Sequence, residues 1–279
     1  MSTFYETRYA SGPKAIKNHD TTQLREEFLI SNLMEEGKIN FTYTHFDRYM
    51  AGSAVPIEPL ELEPIDPLKA DYFLERREMG IINVGDSGEI EIDGNAYKLA
   101  HKEALYIGQG NKKVIFKSDD KKKPAKFYIN SAPAHTQHPI KKVSLEDANK
   151  LDLGSLETSN DRIVNQMIIG GIVTTCQLQM GLTELKTGSI WNTMPPHTHD
   201  RRMEIYFYLD LPEDQSICHF MGEPQETRHV WMQNHEAIIS PPWSIHAGAG
   251  TSNYSFIWGM AGENLDYTDM DKAKVTDLK

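Results

Sequence analysis

The sequence predicts a mainly β protein made of one barrel copied twice, and three observations carry that expectation. Short apolar runs rich in Ile, Val, Tyr and Phe recur at close spacing with Gly, Asn and Asp between them. Long helical periodicity is confined to one stretch near the start, so crossover helices for a parallel sheet are missing. The two halves also repeat the same order of local patterns.

Taken in order, Asp20 to Thr22 can cap "QLREEFLISNLMEEG", in which Leu24, Phe28, Leu29 and Leu33 share a face and Gly37 marks the end, so a helix is expected there. The runs "INFTYTHF", "GIINVG", "GEIEIDG", "EALYIG", "KVIFKS" and "AKFYIN" follow as strands, and after the loop "SAPAHTQHPIKK" a second short helix is expected in "SLEDANK" at 144–150. Strands then resume in "NQMIIGGIVTTCQLQMGLTEL", "EIYFYLDL", "ICHFMG", "HVWMQ", "EAIISPPW" and "YSFIWGM". "REMGIINVGDSGEIEIDG" parallels "RMEIYFYLDLPEDQSICHFMG", with Glu78 set against Glu204. Likewise "EALYIGQGNKK" at 103–113 parallels "EAIISPPWSIH" at 236–246, which sets Lys113 against His246. The expected division is therefore 1–145, a degenerate barrel with an extended N-terminal arm, and 146–279, a barrel that keeps its histidines. The proline-rich "GSAVPIEPLELEPIDPL" belongs to the arm and could wrap a neighbouring domain or subunit.

Composition excludes several function classes. The 279 residues and 31.8 kDa suffice for two domains with real cores, and 39% hydrophobic residues with a mean hydropathy of -0.52 offer no apolar run that would cross a bilayer, so no membrane partner is expected. A net charge of -11 argues against nucleic acid, because phosphate backbones are held by clustered Lys and Arg. The one basic cluster, "KKKPAK" at 121–126, reads as a solvated loop tip. "MSTFYETRYA" has no basic and then apolar signal pattern, and Cys176 and Cys218 both sit in strand-like runs as expected reduced thiols, so the expected compartment is the cytoplasm.

One stretch, "PPHTHDRRMEIYFYLD", carries the chemistry. Residues two apart on a strand face the same side, so His197 and His199 present both imidazoles to one cavity, and the prolines before them argue against a helix. Glu204 follows after a short turn and returns a carboxylate to the same place, giving a set of N and O ligands suited to zinc, iron or manganese. His246, in "SPPWSIHAG", is the best candidate for the fourth ligand.

"HTHDRRME" with "PPWSIH" resembles the metal-binding motifs of the cupin superfamily. "GSIWNTMPPHTHDRRMEIYFYLD" with "SPPWSIHAG" resembles the 5-keto-4-deoxyuronate isomerase family of pectin breakdown, over essentially the whole chain. The resemblance implies two cupin-type barrels (double-stranded β-helix, or jelly-roll) with a few short helices and a homo-hexamer. It further implies one Zn2+ in the C-terminal barrel on His197, His199, Glu204 and His246, with Fe2+ or Mn2+ as alternatives. The first barrel lacks a histidine at each such position and is assigned no metal. The implied reaction turns 4-deoxy-5-ketouronate, a small anionic sugar acid, into 3-deoxy-D-glycero-2,5-hexodiulosonate by moving a carbonyl from the terminal carbon to its neighbour. Other readings are a 5-deoxyglucuronate isomerase of inositol breakdown, an iron-dependent cupin dioxygenase and a non-catalytic sugar-binding cupin.

Three further residues are candidates for catalysis. Arg202 and Tyr206 share strand parity with Glu204 and are expected to face the cavity, Arg202 as a clamp on the substrate carboxylate and Tyr206 as a donor or proton shuttle. Lys186, in "ELKTGSIW", is a third candidate, for acid, base or carboxylate contact.

Overall fold

A computed structural model describes residues 3–279. Two compact units divide the chain. The first holds the residues up to Arg8, Asn32–Ala148 and Met167–Met180; the second holds Tyr9–Ser31, Asn149–Gln166 and Gly181–Lys279. The expected extended arm is thus shared out, its first strand to one unit and its helix to the other.

In the first unit a seven-stranded sheet runs in the order Thr3–Arg8, Ile39–Thr44, Met50–Ala54, Phe127–Pro133, Arg77–Asn83, Ala104–Ile107, Lys141–Val143. A four-stranded sheet, Leu60–Glu61, Val114–Ser118, Gly88–Ile92, Asn95–Leu99, accompanies it. Gly88–Ile92 shows why: its exposure alternates, and Ile90 and Ile92 join Met79, Ile81, Leu105, Phe116, Phe127 and Ile129 in one apolar core.

The second unit repeats this order. Its seven strands are Asn149–Leu153, Arg162–Ile168, Gln179–Leu185, Ser255–Gly262, Arg202–Leu209, Ala237–Ser240 and Leu29–Ile30, and its four are Trp191–Asn192, Ala247–Gly250, Ile217–Glu223 and Glu226–Met232. The two units thus share one strand order in both of their sheets, as a duplication requires. The mainly β expectation holds too, since the helices are short pieces such as Pro13–Ile16 and Thr21–Phe28.

Four local expectations need correction. The N-terminal helix begins as expected, with Asp20 accepting from the Gln23 amide and Gln23 returning the bond, but it ends at Phe28 rather than near Gly37. Leu29 and Ile30 instead pair with Ile238 and Ala237 as an edge strand, a tertiary contact that overrides the helical period. "SLEDANK" forms turns and not a helix, because the Asp147 carboxylate accepts from both the amide and the hydroxyl of Ser144, after which Asn149–Leu153 is extended. Cys176 lies outside any strand, in the connection before Gln179–Leu185, whereas Cys218 is in one; both thiols are unpaired.

The fourth correction concerns register. Ala104 pairs with Ile82 in the first unit, and Ala237 pairs with Phe207 in the second. Counting back along each strand sets Met79 opposite Ile107 where Glu204 lies opposite Ser240, so Met79 and not Glu78 takes the place of Glu204. Glu78 faces the other way. Its carboxylate accepts from the amides of Cys176, Gln177 and Leu178 and from the Tyr106 hydroxyl, at 2.7–2.8 Å, and so fastens the 169–178 connection. By the same register Arg77 matches Arg202.

Candidate metal centre

Four side chains of the second unit converge as expected. His197 is on the short strand His197–Thr198, held by the tail strand Asp271–Lys272; the His199 amide donates to the Pro242 carbonyl. Glu204 is in the strand Arg202–Leu209, and His246 stands immediately before Ala247–Gly250, so adjacent β elements set the geometry. One ligand atom from each residue lies within 4.8 Å of all the others, and no second such group of His, Cys, Asp and Glu occurs among the described residues. Lys113, set against His246 in the first half, points to the surface and pairs with Glu61 at 3.2 Å.

The donor atoms are aimed at one another rather than at hydrogen-bond donors. Nε2 of His197 and of His246 are 2.9 Å apart, Nε2 of His199 is 2.8 Å from Glu204 Oε1, and His246 Nε2 is 3.5 Å from that same oxygen. Outer partners set the rings: His199 Nδ1 meets the Asp269 carbonyl at 2.7 Å and His246 Nδ1 meets the Ser240 hydroxyl at 3.2 Å. A ring that donates from Nδ1 to a carbonyl leaves Nε2 with its lone pair directed inward, the arrangement that metal-binding histidines use.

Electrostatics favour the same state. Burial, then the neighbouring His246, lowers His197 to about 2, and burial lowers His246 to about 4 against the pull of Glu204. Burial pushes the Glu204 carboxyl up, but the imidazoles of His246, His199 and His197 outweigh it and hold it well below the usual range. At neutral pH His197 and His246 are therefore neutral imidazoles beside the Glu204 carboxylate, facing each other with too few protons to pair. A divalent cation fits that donor set.

A cavity of about 270 Å³ opens on the cluster and is lined by Glu204 and His197, by apolar Val164, Phe256, Trp258 and Met260, and by Tyr206 and Arg162. Arg202, Glu204 and Tyr206 all line it, as their shared parity requires. Burial, then the Glu204 charge, keeps the Tyr206 phenol protonated, and its hydroxyl is 2.9 Å from Thr193 Oγ1.

Two catalytic expectations change. The terminal nitrogens of Arg202 donate to the carbonyls of Asn264, Asp266, Tyr267 and Asp269 at 2.8–3.4 Å, so this buried guanidinium pins the 264–269 loop behind His199; its Nε alone has no partner, which leaves no pair of donors for a two-bond clamp on a carboxylate. Arg77 behaves alike, donating to the carbonyls of Arg48 and Ser131. Lys186 is outside the cavity lining and pairs with Asp152 at 3.1 Å and Asp161 at 2.9 Å, away from the cluster it was expected to serve. Sequence reasoning missed Arg162, Tyr267 and Lys272 in the lining; their elements are distant in sequence, and no local spacing signals them.

Comparisons with known proteins agree with this geometry. The model of the KduI/IolB family matches residues 28–276. The 4-deoxy-L-threo-5-hexosulose-uronate ketol-isomerase of Formosa agariphila is 69% identical over 280 residues, covering 100% of both chains. The ketol-isomerase 1 of that name from Bacteroides thetaiotaomicron is 53% identical with the same coverage. Among solved structures, an IolB-like protein from Salmonella typhimurium superposes with a TM-score of 0.71 at 12% identity, covering 88% of this chain and 96% of that one. The oxalate decarboxylase formate complex of Lactobacillus farciminis does so with a TM-score of 0.56 at 8% identity, covering 81% and 79%. The structural likenesses speak to the fold, which is the cupin-type barrel pair.

Proposed function

The chain belongs to the KduI/IolB family, and on that premise we propose that it is a metal-dependent ketol-isomerase acting on 4-deoxy-L-threo-5-hexosulose uronate in uronate and pectin degradation. The observation that carries this reading is full-length identity of 69% to a ketol-isomerase of that name, joined to a buried three-histidine, one-glutamate cluster that opens on a cavity. The family model is shared with IolB, the source of the 5-deoxyglucuronate alternative, but the full-length relatives at 53–69% identity carry the uronate ketol-isomerase name, which favours the uronate.

His197, His199, Glu204 and His246 would hold the cation, for which zinc is our choice on the strength of three imidazoles and one carboxylate. When bound, that ion supplies Lewis-acid stabilisation for the two neighbouring oxygens of an aldose end. The protein's own groups do the rest. Tyr206, protonated and facing the cavity beside Glu204, donates a hydrogen bond to a substrate oxygen as its charge grows. Val164, Phe256, Trp258 and Met260 exclude water along the wall and suit the deoxygenated carbon.

By the same reading the chain works in the cytoplasm as a homo-hexamer. Two unpaired thiols and the exposed aromatics Phe4, Tyr5 and Trp231 support these points, and sedimentation checks the second. The activity is tested by metal analysis of purified protein together with NMR of the uronate substrate. The reading expects about one zinc per chain and the appearance of the 2,5-diketo acid; an inert, metal-free protein would refute it.

A further inference from the structure

Resting on the isomerase reading, we propose that Arg162 is the residue that takes the substrate's carboxylate. The guest is an anion and must enter a protein of net charge -11, beside the buried carboxylate of Glu204, so a local cation has to receive it. Three cations line the cavity: Arg162, Arg202 and Lys272. The terminal nitrogens of Arg202 are taken up by loop carbonyls. Lys272 is the register partner of His197 on the exposed tail strand, so it stands at the rim.

Arg162 differs from both. It opens the strand Arg162–Ile168, is half-buried, and its guanidinium makes one hydrogen bond, from Nη1 to the Asn160 carbonyl at 2.9 Å. No acidic side chain pairs with it among the described residues. A guanidinium has five N–H donors and stays charged in proteins, so most of this one is left to face the cavity. The Tyr206 and Tyr267 side chains line the same cavity.

Its placement brings it to the same guest. The sheet order sets Arg162–Ile168 three strands from Arg202–Leu209, and both strands send side chains into one cavity, Arg162 and Val164 from the first and Arg202, Glu204 and Tyr206 from the second. Thr183, Trp258 and Met260 complete the wall they share. A guest whose aldose end meets the cluster directs its far end, a carboxylate beside a ketone, along this wall towards Arg162. A planar fork matches that carboxylate in two parallel bonds. Selectivity for sugar acids over neutral sugars follows.

The experiment uses the full-length, metal-loaded protein and the variants Arg162→Gln, Arg162→Lys and Lys272→Gln. Calorimetry compares binding of 2-oxobutyrate, which mimics the far end of the substrate, with binding of its carboxamide; kcat and KM are then measured on the uronate. Wild type should prefer the acid at least about tenfold. Arg162→Gln should lose that preference and raise KM about 10- to 100-fold, the size expected for losing a charge-assisted bidentate pair, with metal content unchanged and kcat less affected. Arg162→Lys should restore part of the preference, and it carries the test should Arg162→Gln not fold. Unchanged discrimination and KM in the Arg162 variants, or loss of discrimination in Lys272→Gln instead, overturns the proposal. Failure of wild type to convert the uronate would strike the isomerase reading alone, because the calorimetric comparison still decides the role of Arg162.

Discussion

Met79 and Glu204 occupy one register position of the duplicated barrel, the first opposite Ile107 in an apolar core and the second opposite Ser240 beside three histidines. A cluster of metal-ligand type in one half and none in the other, among the described residues, thus turns on the same point of the repeat. Met79 shares its core with Ile81, Ile129 and Phe127, and on its other side it lies opposite Ser131.

Met79→Glu should therefore not build a second centre. A carboxylate at that position finds no histidine, and Ser131 opposite it and Arg77 two residues back are already bonded to each other, so it is pushed towards its neutral form and a destabilisation of about 3–5 kcal/mol is expected. Chemical denaturation of the variant measures it, and metal content should stay at the wild-type value.

His246→Ala removes one of four ligands and leaves the cluster with two imidazoles and a carboxylate. Bound metal and activity should fall together, activity by at least 100-fold. A variant that keeps a full complement of metal after dialysis against a mild chelator would show that another group supplies the fourth ligand.

Arg202→Ala should act first on the fold. Losing a buried guanidinium that holds carbonyls of residues 264–269 is expected to cost about 2–4 kcal/mol and to expose the segment after Ala261 to proteases. Hydrogen exchange across 263–272 distinguishes this from a substrate clamp, which would raise KM and leave exchange unaltered.

The metal-free protein should lose stability as pH falls from neutral. His219 is fully buried, its Nδ1 is 2.7 Å from the Tyr208 hydroxyl and its Nε2 has no partner; burial holds it down to about 3. Between that value and the unfolded value of about 6.5, only the unfolded chain binds the proton, so stability is fully present above 6.5 and declines by about 1.4 kcal/mol per pH unit below it for this residue. His197 and His246 add to the slope in the same direction. Denaturant midpoints from pH 7.5 to 5 check the sign, and His219→Gln should flatten the curve.

Lys186→Gln should leave turnover and metal content within about twofold of wild type. Its partners Asp152 and Asp161 are at the surface, where ion pairs contribute little. A large loss of kcat in this variant would bring Lys186 back into the chemistry.

Much of the centre was legible because it is local. His197, His199 and Glu204 fall within eight residues, "HTHDRRME", so strand parity alone aligns them, and "PPWSIH" supplies the fourth. The duplication was legible for the same reason, since each half keeps its strand order. Arg162 was not, because its place in the cavity depends on sheet order between strands far apart in the chain. Parity put Arg202 on the correct face yet said nothing of the loop carbonyls that occupy it. Leu29 and Ile30 read as helix because the strand that claims them lies at Ala237–Ser240.

That last pairing has a consequence for how the polypeptide is made. The arm that edges the second barrel is made long before its partners; Arg25, for one, donates to the carbonyl of Trp231, 206 residues downstream. An apolar edge must wait while that length of chain is synthesised, an invitation to chaperones and a reason for slow maturation of the nascent chain.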